Sequence, residues 1–123
     1  MVTTPNESSD IVYSVDCPTR DVLDQISNKW VTLIMIALAD EPKRFRRLMR
    51  QVQGISQKML TQTLRGLERD GLVNRAVLPT SPIQVEYSLT TLGRSLYVPL
   101  VELRTWSEKN IEAITAARAD FGR

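Results

Sequence analysis

Between Gly54 and Val73 the chain carries its strongest structural signal. A polar opening at Ser56 leads into leucines at 60, 64 and 67, an Asp70-Gly71 stop, and then Leu72-Val73. The 60, 64, 67 spacing puts three leucines on one side of an α-helix, and Leu72 continues the apolar set past the stop. Ser is a preferred N-cap because its hydroxyl accepts from backbone N–H groups of the first turn. Gly71 allows the chain to leave the helix. A turn, a short amphipathic helix, a glycine stop and a strand are therefore fixed locally. The opposite face of the helix holds Ser56, Gln57, Lys58, Thr61, Gln62 and Arg65. Short polar, amide and basic side chains of this kind reach phosphates and base edges.

The surrounding segments build a domain around that unit. Residues 1–16 are polar and aperiodic and read as a flexible arm; residues 17–119 read as one domain. Cys17-Pro18 opens a first helix, with Val22, Leu23 and Ile26 as its buried side. Ser27-Asn28 breaks it. Trp30 to Ala39 is almost wholly apolar and belongs at the centre of the fold. Asp40-Glu41-Pro42 is a turn, and Arg44 to Gln51 a short basic helix with Phe45, Leu48 and Met49 inward. Leu72 to Leu78 and Ile83 to Leu89 are strands joined by a loop over Pro79 to Pro82, giving a β-hairpin. The expected fold is mainly α with a small β-hairpin wing: a winged helix-turn-helix, with the helix after Ser56 as its recognition helix.

The last helix runs from Thr91 to about Ala119, more than twice the mean length of about 11–12 residues. Leu92, Leu96, Leu100, Leu103, Trp106, Ile111 and Ile114 form its stripe, and Pro99 is expected to loosen one turn. That stripe exceeds what one small core can cover. The expected cover is the same helix of a second subunit, with Leu96, Leu100, Leu103 and Trp106 in a homodimer interface. The plainer alternative folds the helix back onto its own domain. A two-fold dimer would present two recognition helices roughly 34 Å apart to a pseudo-palindromic operator in double-stranded DNA.

Charge follows the same division. The net charge is +2, but residues 40–76 carry nine cations against four carboxylates, a local excess of +5. Residues 1–39 carry two against five. The basic third is the one that holds the polar-faced helix, which is an electrostatic footprint for a polyanion; a merely solvated basic face is the alternative. With no histidine and a single cysteine, the commonest general base and the usual zinc ligands are missing. No glycine-rich phosphate loop is present. The chain is therefore expected to be no enzyme and to need no metal or cofactor. No apolar run approaches the roughly 18 residues of a membrane span. The N-terminus has no basic, apolar leader, and the lone cysteine fits a reducing compartment, so a cytoplasmic protein is expected.

Cys17-Pro18, Lys29-Trp30, Pro42-Lys43-Arg44-Phe45, Gly54 to Thr61, Leu64-Arg65, Leu67-Glu68, Asp70 to Val73 and Val85 to Thr90 occur in one order. This series resembles the HxlR family of bacterial transcription regulators, a relative of the MarR group, over about residues 17–110. The runs Gly54 to Thr61 and Val85 to Thr90 are its most specific parts. Ser27-Asn28 departs from the two glycines often found there, which touches a turn only. The resemblance implies a winged helix dimerised through its first and last helices. It also implies that a cysteine just before the proline of the first helix acts as a sensing thiol, as in redox-responsive members of the QorR type. Those members respond to diamide, quinones and other electrophiles and often repress quinone reductase genes.

Role by role, Gln57, Thr61, Gln62 and Arg65 are expected in the major groove, since Gln pairs bidentately with adenine and Arg with guanine. Ser56 caps the helix and Lys58 lies nearer the backbone. Arg44, Arg46 and Arg47, on the preceding helix, are expected on phosphates; Arg75, Ser81 and Gln84 in the wing are expected on the flanking minor groove or backbone. Any one wing residue is as readily plain surface. Cys17 is either a small buried hydrophobe or a sensor. As a sensor with one thiol per chain, it is limited to an inter-subunit disulfide, a mixed disulfide with a small thiol, or a quinone adduct. Three readings follow. The first is a dimeric DNA-binding repressor gated by Cys17. The second is the same DNA binder gated by a ligand between Trp30, Trp106 and the dimer helices. The third is a protein-interaction module without DNA.

Overall fold

A computed structural model describes residues 12–123. It contains α1 (Pro18–Ile26), α2 (Lys29–Leu38), β1 (Lys43–Arg44), α3 (Phe45–Gln51), α4 (Gln57–Arg69), β2 (Val73–Leu78), β3 (Gln84–Leu89) and α5 (Thr91–Phe121). Helix starts follow the caps that the sequence supplies. Asn28 Oδ1 accepts from Trp30 N at 2.7 Å, Ser56 Oγ from Met59 N at 3.0 Å, and Thr90 Oγ1 from Gly93 N at 3.0 Å. Each satisfies one backbone donor that a helix start leaves orphaned. Gly54 and Gly71, at φ of 92° and 77°, make the turns before and after α4.

The core forms where α2 crosses the other elements. Ile34, Met35 and Leu38 of α2 are fully enclosed with Leu48 of α3, Leu60 and Leu64 of α4, and Val52. Leu67, Leu72, Val73 and Leu89 extend it to the sheet, and Leu100 brings in α5. Burying each such side chain contributes about 1.5–3 kcal/mol, so the central position of α2 follows from its composition.

Three expectations need correction. The wing is a three-stranded antiparallel sheet ordered β1-β3-β2, since Lys43 and Arg44 pair with Tyr87 and Glu86. Arg44 therefore belongs to a strand and sits at the N-cap of α3 rather than within that helix. Lys43 is only 3% exposed. Its ammonium donates to the Ala37 carbonyl at the end of α2 and to Asp40 Oδ1 at 2.8 Å, favourable for a cation at a helix C-terminus. The same hydrogen bond holds the Asp40 carboxyl below its usual range.

Second, no residue of α1 is buried: Val22 is 53% exposed and only Ile26 packs against the core. Third, Leu100 is 7% exposed within its own chain and Leu96 rests on the same core. Their burial is intramolecular, so of the four residues expected between subunits only Leu103 and Trp106, 57% and 56% exposed, present their side chains outward. The expected flexible arm lies largely over residues 1–11, outside the described residues. Nearer α1, Cys17 N donates to the Ser14 carbonyl at 3.1 Å and Arg20 Nη1 to that of Tyr13 at 3.4 Å.

α5 runs for 31 residues straight through Pro99. Its start is bolted to the start of β2. Thr90 N donates to the Leu72 carbonyl at 3.1 Å and Thr90 Oγ1 to that of Gly71 at 2.6 Å. Gly93 lies so close that an added Cβ would be 2.1 Å from Leu72 O. Gly66, within α4, meets nothing nearer than the Arg69 guanidinium, 4.0 Å away. The two glycines should therefore respond in opposite directions. Gly93→Ala should destabilise by about 1–3 kcal/mol or more, because backbone must move. Gly66→Ala should stabilise by about 0.5–1 kcal/mol through unfolded-chain entropy and helix propensity. Urea unfolding of both variants measures this, and an unchanged Gly93→Ala midpoint would refute the close approach.

Candidate nucleic-acid interface

α4 packs through Leu60, Leu64 and Leu67 and leaves Gln57, Lys58, Thr61, Gln62 and Arg65 exposed. The Ser56 hydroxyl is engaged in the cap. Two clefts flank the helix. On the sheet side, Thr61, Arg65 and Glu68 face Arg75 of β2 and Tyr87 of β3 across a cavity of about 420 Å³. On the other side, Gln62 lies with Thr63 and Met59 opposite Gln25 and Ile26 of α1. Thr61 and Arg65 thus line one cleft and Gln62 the other, while Gln57 and Lys58 line neither. Arg69, at the end of the helix, is held by Asp70, with Nε 3.0 Å from Oδ1, and this bond pushes its guanidinium pKa further up.

Strand register places Arg75. Opposed residues of antiparallel strands share a face of the sheet, and Arg75 is paired with Tyr87, which is paired with Lys43. Lys43 points into the fold. Arg75 therefore points toward α4 and lines the same cleft as Arg65. Ser81 is exposed in the loop between the strands, and Gln84 is half-buried at the start of β3 opposite Leu78. The structure thus separates these three wing residues, which the sequence groups together.

A second basic cleft, of about 420 Å³, gathers Arg44, Arg46, Arg47 and Arg50 with Glu41 and Glu86. Arg47 Nη1 lies 2.9 Å from Glu41 Oε1, and both side chains are exposed. That pair is worth no more than about 1 kcal/mol. Arg50 is a member that sequence reading passes over, though it follows Arg46 and Arg47 at the three- and four-residue spacings of one helix face. Glu68 was legible in the same way, three residues after Arg65. Tyr87 was not, because only the register reveals its neighbours.

A basic cleft at α3 and β1, a polar-faced α4 and a sheet packed behind it form the layout of a helix-turn-helix with a wing. The pattern of the HxlR-like helix-turn-helix family matches residues 25–115. The chain belongs to that family. It is 40% identical over 107 residues to the HTH-type transcriptional regulator YtfH of Escherichia coli, covering 87% of this chain and 85% of YtfH. The solved structure of ytfH from Salmonella typhimurium superimposes with a TM-score of 0.81 at 40% identity, over 89% of this chain and 97% of that one. The redox regulator HypR in its oxidized form gives a TM-score of 0.71 at 41% identity, over 76% of this chain and 97% of its own. This HxlR-family chain is a transcriptional regulator with a DNA-binding helix-turn-helix. No helix among the described residues is long and apolar enough to cross a membrane.

Cys17 is 4% exposed at the N-cap of α1, where its carbonyl accepts from Asp21 N at 3.1 Å. Trp30 packs on the core with Lys29 Nζ 4.6 Å from its ring centroid, whereas Trp106 is exposed. An apolar cleft of about 390 Å³ lies between α1 and α5, lined by Val22, Ile26, Leu72, Leu92 and Leu96.

Base-reading and phosphate-binding side chains should differ under mutation. Arg65→Ala is expected to weaken operator binding by roughly 1–3 kcal/mol and relax one base preference. Arg46→Ala should weaken binding uniformly across sequences and lower the salt slope by about 1. Fluorescence titrations at several salt concentrations separate the two. An unchanged operator affinity would remove Arg65 from the interface.

Proposed function

We propose that this regulator is a homodimeric repressor whose binding to a pseudo-palindromic operator is switched by oxidation or electrophile modification of Cys17. The observation that carries the reading is the placement of Cys17. It is the only buried residue between Val12 and Trp30, and it opens a helix whose Val22 and Leu23 are exposed. Likeness to HypR, a redox regulator, supports it. The repressor role rests on resemblance to members that repress.

In this reading Gln57, Thr61, Gln62 and Arg65 enter the major groove and Lys58 stays near the backbone. Arg44, Arg46 and Arg47 hold phosphates, and Ser81 and Gln84 follow the flanking groove. The dimer is built by α1 and α5, whose exposed Val22, Leu23, Leu92, Val98, Leu103 and Trp106 supply apolar area left uncovered among the described residues. When diamide oxidises two Cys17 thiols, a sulfur–sulfur bond forms, two protons leave the thiols, and the azo group takes up two electrons and two protons. A quinone instead accepts one thiolate at a ring carbon, forming a carbon–sulfur bond with the sulfur's electron pair; one proton is taken up and the ring proton at that carbon shifts to oxygen, which gives a hydroquinone thioether without an external reductant. Either product moves the N-terminus of α1 and, through the dimer, the spacing of the two α4 helices.

A gel shift on the DNA upstream of the protein's own gene tests the switch. Diamide should abolish binding of the parent, dithiothreitol should restore it, and Cys17→Ser should keep binding throughout. Equal inhibition of parent and Cys17→Ser would overturn the thiol switch. Binding that ignores diamide would turn attention to a ligand in the apolar cleft between α1 and α5. The dimer has its own test. Trp106→Glu should shift sedimentation toward the monomer while leaving the fold intact, whereas Leu100→Glu should unfold the domain by placing a charge in its core. A Trp106→Glu protein that remains dimeric would place the interface elsewhere.

A further inference from the structure

Glu68 is the one carboxylate of α4. It stands in the cleft between the recognition helix and the sheet, with Arg65 on its own helix and Arg75 across from it. Thr61, Arg65 and Glu68 follow at four- and three-residue spacings, so they form one stripe along the helix. Glu68, Arg65 and Arg75 are all exposed. Among the described residues the ion pairs within 4.0 Å are Lys43–Asp40, Arg47–Glu41, Arg69–Asp70 and Arg123–Asp120. Neither guanidinium of the cleft is therefore neutralised by direct contact with Glu68.

Two arginines lining one cleft of about 420 Å³ make a good seat for a phosphate. Every duplex offers phosphates, so a seat of that kind would add affinity for any sequence and none for the right one. A carboxylate lining the same cleft opposes an incoming phosphate by like-charge repulsion. It opposes a guanine edge far less, since that edge carries no net charge. A surface that must bind a polyanion gains nothing in raw affinity from such a group, but it gains discrimination, because a penalty against the wrong mode raises specificity as effectively as a better contact in the right one.

We infer that Glu68 is a specificity-determining residue of the DNA-binding face. It keeps DNA phosphate out of the cleft between α4 and the sheet, so that Arg65 is left to a base edge. The inference rests on the proposal that α4 enters the major groove, and it assigns to the cleft a role in rejecting non-operator DNA.

Three proteins decide it: the parent, Glu68→Gln, which removes the charge at nearly constant shape, and Glu68→Asp, which restores it. Each is titrated against the upstream DNA of its own gene and against a random duplex of equal length, at several salt concentrations. Glu68→Gln should bind the random duplex about fivefold more tightly, the scale of one exposed charge interaction. Its salt slope on random DNA should steepen by about 1, reporting one added phosphate contact. Operator affinity should rise less, so the specificity ratio falls, and Glu68→Asp should return toward the parent. Equal changes on both duplexes, or weaker operator binding with random binding unchanged, would overturn the inference. The second result would make Glu68 a direct base contact. Thermal unfolding of all three proteins removes a purely structural cause from either result. If the parent binds both duplexes equally and Arg65→Ala changes neither, the major-groove reading fails and takes this inference with it. If the parent prefers the operator and Arg65→Ala weakens that preference, the reading stands and Glu68 is judged by itself.

Discussion

The contact between Gly71-Leu72 and Thr90-Gly93 holds together what the regulator must coordinate. Gly71 ends the turn after the recognition helix, Leu72 leads into the wing, and Thr90 to Gly93 begin the long last helix. Thr90 serves all three through one residue. Its hydroxyl donates to Gly71 O and accepts from Gly93 N, while its own N–H donates to Leu72 O. Only a residue without Cβ fits at position 93 against that carbonyl. The turn after the recognition helix, the entry to the wing and the last helix therefore meet at one corner, and rotating one against another would strain these bonds.

That corner turns a dimer into a ruler. In the proposed assembly the last helices set the relation of the two subunits, and each recognition helix follows its own last helix through the corner. Spacing on the operator is then controlled at the subunit contact, far from the bases. Leu100 and Leu96 tie the last helix to its own core before Leu103 and Trp106 leave that core behind. The helix is intramolecular at one end and uncovered at the other. In the proposed assembly, intermolecular contacts would be attached by continuous helix to the group that reads DNA, the kind of packed connection that carries coupling between sites.

How far this was legible in the sequence depends on the range of the interaction. Ser56, Asn28 and Thr90 were readable as helix starts because a cap involves residues two or three apart. Leu60, Leu64 and Leu67 were readable because periodicity is local. Lys43-Arg44 was not readable as a strand: two basic residues before a helix carry no alternation, and their pairing partner lies more than forty residues away on β3. The face of Arg75 within the wing is unreadable for the same reason, since it is set by register with Tyr87 and Lys43. Val22 and Leu23 were read as buried because an amphipathic pattern reports that a face needs covering, not which chain covers it. Of the candidate site, the residue types and their helix were plain from sequence; the division into two clefts, and the place of Glu68 in one of them, required the fold.

The position of Cys17 constrains how any thiol chemistry must proceed. A side chain 4% exposed does not meet a bulky electrophile or a second thiol without local opening. Opening is cheap where few apolar contacts are lost, and helix α1 buries no residue of its own. In the proposed switch, a disulfide or adduct adds volume at a side chain that is 4% exposed, and the start of α1 would have to move to take it. Val22 and Ile26 of α1 share an apolar cleft with Leu92 and Leu96 of the last helix, whose first turn is bonded to the turn that follows the recognition helix. In the proposed switch, burial of the cysteine is what would couple its modification to DNA binding: an exposed thiol could be modified with nothing having to move.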